Sequence, residues 1–176
     1  MLVLEIPSHT TIDIFARYCH GSSPGSFHFE TEIEEDSTGY DYYQIFFKCI
    51  DDKLTKVKVW DPYIRNFDDF CSTLMKYGKN LKKVNLVTSA ARDRITAKKQ
   101  RKSLKSLSKK FRKKGLEIVI KYQHFHYRKF RFDNGWKVII DRGLDIYKQV
   151  DYRSSEYYSP ELRPCRETNV DYIYKK

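Results

Sequence analysis

The chain has 176 residues, a length that holds one domain around a single core. With 40% apolar and 15% aromatic residues it is not disordered by composition, and no run of about 18 apolar residues offers a transmembrane helix. A formal net charge of +11 points to a polyanionic partner: nucleic acid, anionic lipid or a phosphorylated ligand.

Residues 1–30 are weakly patterned and read as an N-terminal extension, an extra strand with a loop at Gly21-Ser-Ser-Pro-Gly25. Met1-Leu-Val-Leu4 is broken by Glu5 too early for a secretory signal. Residues 31–176 read as one domain. A turn at Thr38-Gly39 leads into a helix over Tyr40–Ile50, and Val57-Lys-Val-Trp60 alternates as a strand. Phe67, Phe70, Cys71 and Leu74 recur at helical spacing, with Gly78 ending that helix, and Val84–Val87 is a short apolar strand.

The net charge is local. Lys98, Lys99, Arg101, Lys102, Lys105, Lys109, Lys110, Arg112, Lys113 and Lys114 follow one another without an intervening acid, and the rest of the chain is close to neutral. Ala97, Leu104, Leu107 and Phe111 supply an apolar seam, so the spacing predicts an amphipathic helix over 92–114 with a broad basic back. Gly115 suits the position just past its end. Most charge runs are solvated faces, but like charges four residues apart repel, which favours an anion-binding role here. Leu116–Ile120 follows as a strand. Strand-helix-strand-helix-strand implies β-α-β units and an α/β fold with a mainly parallel or mixed sheet flanked by helices.

His124 to Phe132 alternates like a strand, Asp133-Asn134-Gly135 is a hairpin turn, and Trp136–Ile140 returns. Residues 141–176 are tyrosine-rich and polar and read as wrapping the domain. Cys19, Cys49, Cys71 and Cys165 are scattered, with no Cys-x-x-Cys pair, and read as buried free thiols of a cytoplasmic protein.

Three constellations carry candidate chemistry. His126-x-Arg128-x4-Asp133 is similar to the His-x-Lys-x4-Asp motif of the phospholipase D superfamily, in which the histidine attacks phosphorus, the lysine neutralises phosphate and the aspartate orients the imidazole. Arginine at the lysine position is not a conservative change, and one motif per chain makes an active site only in a symmetric dimer. His124-x-His126 on one strand face lacks further ligands at metal spacing, so no metal and no cofactor is expected. Asp61-Pro62-Tyr63-Ile64-Arg65 closes a strand, where ligands gather in open α/β sheets; either Arg65 lies near a helix N-terminus as an anion site, or Asp61 caps a turn and Arg65 is solvated.

Asp61-Pro-Tyr-Ile-Arg65, Asn134-Gly-Trp136, Arg142-Gly-Leu-Asp145 and Leu162-Arg-Pro-Cys-x-Glu-Thr168 occur in that order, preceded by Thr38-Gly-Tyr40. This set, over residues 30–176, resembles the C-terminal phospholipase-D-like domain of the MIT-domain-containing protein family. The resemblance implies a non-catalytic phospholipase D fold that dimerises and binds acidic phospholipids, phosphoinositides included. It places Asp61, Arg65, His126, Arg128, Trp136, Arg142 and Asp145 at the family's motif positions. It also implies an ESCRT-linked or membrane-remodelling role, in which an MIT helical bundle engages ESCRT-III tails. The first 30 residues are too short, and too poorly helical, for that bundle; a protein partner carrying an MIT or ATPase module is a further expectation of the resemblance.

The leading expectation is a peripheral membrane module whose basic helix supplies the electrostatics, with Arg65, His126, Arg128 and Arg142 holding a phosphate. The alternatives are a dimeric phosphodiesterase or nuclease using His126, Arg128 and Asp133, a non-specific nucleic-acid binder, and a scaffold for an acidic protein.

Overall fold

The computed structural model describes residues 17–19 and 26–176, so the Gly21–Gly25 loop lies outside it. Eight strands among the described residues form one sheet: β1 (Arg17–Cys19), β2 (Ser26–Ile33), β3 (Lys56–Trp60), β4 (Lys83–Thr88), β5 (Glu117–Tyr122), β6 (Lys129–Phe132), β7 (Trp136–Ile140) and β8 (Thr168–Lys175). Their order across the sheet is β1-β2-β8-β7-β6-β3-β4-β5. The helices are α1 (Tyr42–Phe46), α2 (Phe67–Tyr77), α3 (Arg94–Arg112) and the single turn α4 (Ser155–Tyr158).

The α/β architecture and the mixed sheet are as the sequence predicts, but parallel pairing is confined to β3-β4-β5. Those strands are the ones joined by the helical crossovers α2 and α3. Two right-handed crossovers moving in one direction across a sheet leave both helices on the same face. Accordingly Phe70, Cys71 and Leu74 of α2 and Leu104 and Phe111 of α3 enter one core with Val57, Val59, Leu86 and Ile118. The remaining pairs are antiparallel.

The ends of the chain depart furthest from expectation. Residues 141–176 do not simply wrap the domain: β8 lies inside the sheet, between β7 and β2. Val170 and Tyr172 face the core while Asn169 and Asp171 face out, an alternation hidden among polar and tyrosine residues. The expected boundary at residue 30 passes through β2, which pairs with β8 along its whole length. The helix over Tyr40–Ile50 is shorter, an α-helical turn and a half capped by Asp41 and continued as a 3-10 turn over Phe47–Cys49.

α3 forms as its seam predicts. Asp93 caps it, accepting from the Thr96 amide at 2.8 Å. At the other end Gly115 adopts φ +90°. The Gly115 amide donates to the Arg112 carbonyl and the Leu116 amide to that of Phe111, both at 3.0 Å. This Schellman closure turns the chain directly into β5. Cys49, Cys71 and Cys165 are free and buried, and burial raises all three thiols above their ordinary range, Cys165 to about 11. No helix of the described residues is long and apolar enough to cross a membrane.

The core is densely aromatic around Phe46. Its ring meets Phe70, Phe130 and Phe132 with centroids 5.2, 5.1 and 5.8 Å away, joining α1, α2 and β6. Phe46→Ala should therefore destabilise the domain by about 3–5 kcal/mol, read as a lower urea midpoint.

Candidate functional site

The C-terminal end of β3 and the β7–β8 connection converge on Asp61, whose side chain is essentially buried at 1% exposure. One carboxylate oxygen accepts from the amides of Tyr63 at 2.9 Å and Ile64 at 3.2 Å, an Asx turn that folds the Asp-Pro-Tyr-Ile segment back on itself. The other accepts from the Leu144 amide at 2.9 Å. The Leu144 carbonyl in turn accepts from the buried Tyr42 hydroxyl at 2.6 Å and from Asn66 Nδ2 at 3.4 Å. The turn holds two non-glycine residues in left-handed conformations, Ile64 at φ 47° and Asn66 at φ 54°. For β-branched Ile64 that conformation is strained, and it persists because the carboxylate over-determines the turn.

Gly143 precedes Leu144 at φ +62°, and a Cβ there would run into the Asp61 carboxylate and the Arg128 side chain. Arg128 thus lies against this knot. Its guanidinium donates to the Asp141 carbonyl and sits 5.0 Å from the Tyr63 ring centroid, while its buried Nε–H has no protein partner. Tyr63, Arg128, Asp141, Arg142 and Asp145 line a cleft of about 300 Å³.

Arg142 donates through Nε to the Glu167 carbonyl at 2.6 Å. Arg65 lines a neighbouring cleft of about 630 Å³ and pairs loosely with Asp145 at 3.7 Å, a carboxylate that Arg166 holds more closely at 2.8 Å. Arg65, Arg128 and Arg142 thus lie at one end of the sheet, Arg128 and Arg142 on one cleft and Arg65 on its neighbour.

His126 is not among the lining residues of either cleft. The predicted strand begins only at Lys129, and residues 123–128 form a loop whose Phe125 packs with Trp60 and Val87. That inward anchor leaves His124 and His126 exposed on either side, with ring centroids 4.9 Å apart. Asp133 lies beyond the other end of β6, whose four residues alone span about 13 Å. Its carboxylate accepts from the Thr55 amide and hydroxyl. Burial opposes its ionisation, but the Thr55 bonds prevail and hold the carboxyl below its usual range. His126, Arg128 and Asp133 are thus not assembled into one constellation within the chain.

Trp136 is a packing residue, its ring meeting Tyr174 at 5.0 Å and Phe29 edge-on at 6.3 Å. Among the described residues one group offers metal-ligand chemistry, His28, Glu30 and Asp171 on β2 and β8, with ligand atoms within 4.8 Å of one another. Its His28–carboxylate separations of 3.9 Å are those of loose ion pairs at a half-exposed surface.

The second site is the back of α3. All ten cations of the run are exposed, and among the described residues Lys110 alone of them has a carboxylate partner, Asp68 at 2.7 Å. Arg101 lies over Tyr122 at 4.8 Å. Lys99, Lys102, Ser103, Ser106 and Lys110 border a shallow groove of about 470 Å³ that Asp68 closes from α2. Ile95, on the same side as Lys98, Lys99 and Lys102, is 71% exposed. Sequence reasoning missed Ile95, as it missed Tyr63, Gly143 and Leu144. The Arg-Gly-Leu-Asp string was the one signal for the last two.

The family model described as the phospholipase D-like domain at the C-terminus of MIT matches residues 39–174. A mouse relative, MIT domain-containing protein 1, is 35% identical over 160 residues, covering 86% of this chain. The chain spans 64% of that relative's length. Two solved structures are similar at 11% identity over 85% of this chain: Haemophilus influenzae phosphatidylserine synthase (TM-score 0.44, 35% of its chain) and Porphyromonas gingivalis polyphosphate kinase (TM-score 0.43, 23% of its chain).

The Asp61 knot has a direct test. Asp61→Asn turns one acceptor into a donor facing a backbone amide, which should cost about 1–3 kcal/mol per mismatched bond. Gly143→Ala should destabilise at least as much, whereas His126→Ala should leave the melting temperature within about 1–2 °C of wild type.

Proposed function

Because the chain belongs to the family of phospholipase D-like domains found at the C-terminus of MIT proteins, we propose that it is a non-catalytic module that docks on anionic phospholipid membranes through the exposed back of α3. The observation that carries this reading is the ten-cation surface with a single carboxylate partner among the described residues. A basic residue close to an anionic leaflet contributes about 1 kcal/mol, so four or five facing lipid give roughly 4–5 kcal/mol, enough for reversible association. Ile95 favours lipid over nucleic acid, since an exposed apolar side chain among cations gains by entering the interface and gains nothing from a phosphate backbone.

The groove bordered by Lys99 and Lys102 supplies ammonium donors for a headgroup phosphate, with Ser103 and Ser106 beside them, while Lys110 is held by Asp68. At the Arg128 cleft, the guanidinium groups of Arg128 and Arg142 are further donors for phosphate. On this reading the role in the cell is membrane remodelling, with other domains or partners providing direction, and self-association multiplies the membrane contact.

The test is co-sedimentation with vesicles of neutral lipid alone and with added phosphatidylserine or phosphoinositide. Lys102→Glu/Lys105→Glu/Lys109→Glu should lower binding to anionic vesicles by at least about 100-fold and weaken its salt dependence. Ile95→Ser should weaken vesicle binding and leave any DNA binding unchanged. Unaltered sedimentation of the triple variant would refute the proposal. Metal-independent phosphodiesterase turnover lost in His126→Ala would mean that the protein is an enzyme instead.

A further inference from the structure

The face of the sheet turned away from α2 and α3 is also basic, and its cations are arranged in register. Side chains alternate along strands, so Lys58 of β3 points opposite to Val57 and Val59, and Arg131 of β6 opposite to Phe130 and Phe132. Lys58 lies directly opposite Arg131, and Arg131 directly opposite Lys137 of β7. Three cations therefore stand side by side on adjacent strands, over about 10 Å. Lys129, two residues from Arg131 on the same face, lies across from Trp60 and Ile139.

Like charges directly opposite each other destabilise a sheet. Among the described residues none of these four has a hydrogen bond or ion pair to a carboxylate, the acids of this face lying on other strands. The stress is visible at Lys129, whose ammonium is held below its ordinary range by burial and then by Arg131, Lys137 and Lys58. Lys58 and Lys129 are accounted for in part, with ammonium groups 4.4 and 4.5 Å from the Trp60 ring centroid. Arg131 and Lys137 have no such partner. A local rule broken at one place, without structural compensation, marks a site kept for a ligand.

We propose that Lys58, Arg131 and Lys137, with Lys129 beside them, form a further anion site that takes a compact soluble polyphosphate, phosphates arrayed around a small ring. Compactness follows from the surroundings. The same face becomes acidic towards β8 and β2, where Asp171 lies opposite Glu30, so an extended anionic surface would be repelled on that side. A second copy of this chain is a poorer occupant than a polyphosphate, because its acidic half offers fewer charges than the basic half presents. The site lies across the sheet from α3 and stands independently of the membrane reading.

The experiment uses the full chain and inositol hexakisphosphate as probe, followed by calorimetry and thermal melting in 150 mM salt. The Lys102→Glu/Lys105→Glu/Lys109→Glu background removes competition from α3. That background should still bind one equivalent, and adding Arg131→Glu should weaken binding by about tenfold or more. Without ligand, Arg131→Glu replaces two like-charge neighbours by opposite-charge pairs, so it should raise the melting temperature by about 2–4 °C.

A purely structural arginine would give the reverse, a lower melting temperature with unchanged ligand response, and would overturn the proposal. So would loss of anionic-vesicle binding in Arg131→Glu alone, which would make this face the membrane surface, or conversion of a dimer to monomer, which would make it the subunit interface. Lys137→Gln, which removes charge without reversing it, should weaken the probe by a smaller factor in the same direction.

Discussion

One carboxylate organises the functional end of this domain. Asp61 leaves the sheet at the end of β3, and its two oxygens collect amides from its own turn and from the β7–β8 connection. Bonds to an ionised acceptor are the stronger kind, and burial leaves no water to replace them. The Leu144 peptide passes the constraint on, because the carbonyl following the bonded amide anchors Tyr42 and Asn66. Three segments far apart in sequence are thereby tied at one residue: the β3–α2 turn up to the start of α2, α1 and the β7–β8 loop. Arg65, Arg128 and Arg142 owe their convergence to that arrangement more than to contacts with one another.

This explains which parts of the chain were legible. Asp61-Pro-Tyr-Ile-Arg65 and Arg142-Gly-Leu-Asp145 read as two separate motifs, yet they are the two halves of one hydrogen-bonded knot. Leu162-Arg-Pro-Cys-x-Glu-Thr168 is similar: the Cys165 amide and carbonyl bond Ser37 and Asp36, closing the loop that precedes Tyr40. Asn134 in the hairpin turn reaches the Cys49 carbonyl and the Asp51 carboxylate. Each string of polar and small residues at a fixed spacing was therefore a long-range tie, which a linear reading registers as a pattern without its partner. The crossover region β3-α2-β4-α3-β5 was read almost to its ends because its signals are local: helical seams, capping residues and apolar strands.

β8 and β2 were not legible for the opposite reason. Each is buried on one face only, and their exposed positions carry Glu30, Glu32, Asn169 and Asp171, so mean hydropathy conceals the alternation. Their pairing is between chain ends, and nothing local announces it. His126 was misplaced by the same limitation. The alternation from His124 to Phe132 is real, but Phe125 turns inward to Trp60 and Val87 rather than continuing the ladder of β6. A pattern of period two cannot distinguish a strand from a loop pinned by one aromatic residue.

The placement of these residues also bears on phosphoryl chemistry. Attack on phosphorus needs a nucleophilic imidazole held by a carboxylate and facing the same phosphate as the cation. Here Arg128 is bound to the Asp141 carbonyl and lies over Tyr63, Asp133 is bound to Thr55 at the far end of β6, and His126 is solvated. A second subunit can add another histidine, but it cannot free a carboxylate engaged elsewhere in its own fold. The arrangement places guanidinium groups at a sheet end, and displays ammonium groups on a helix back and on one sheet face. Positive charge on both sides of a thin sheet is costly in self-repulsion. Each side of the sheet therefore feels the charge of the other through a thin layer, and a change of charge on one surface alters the repulsion at the other.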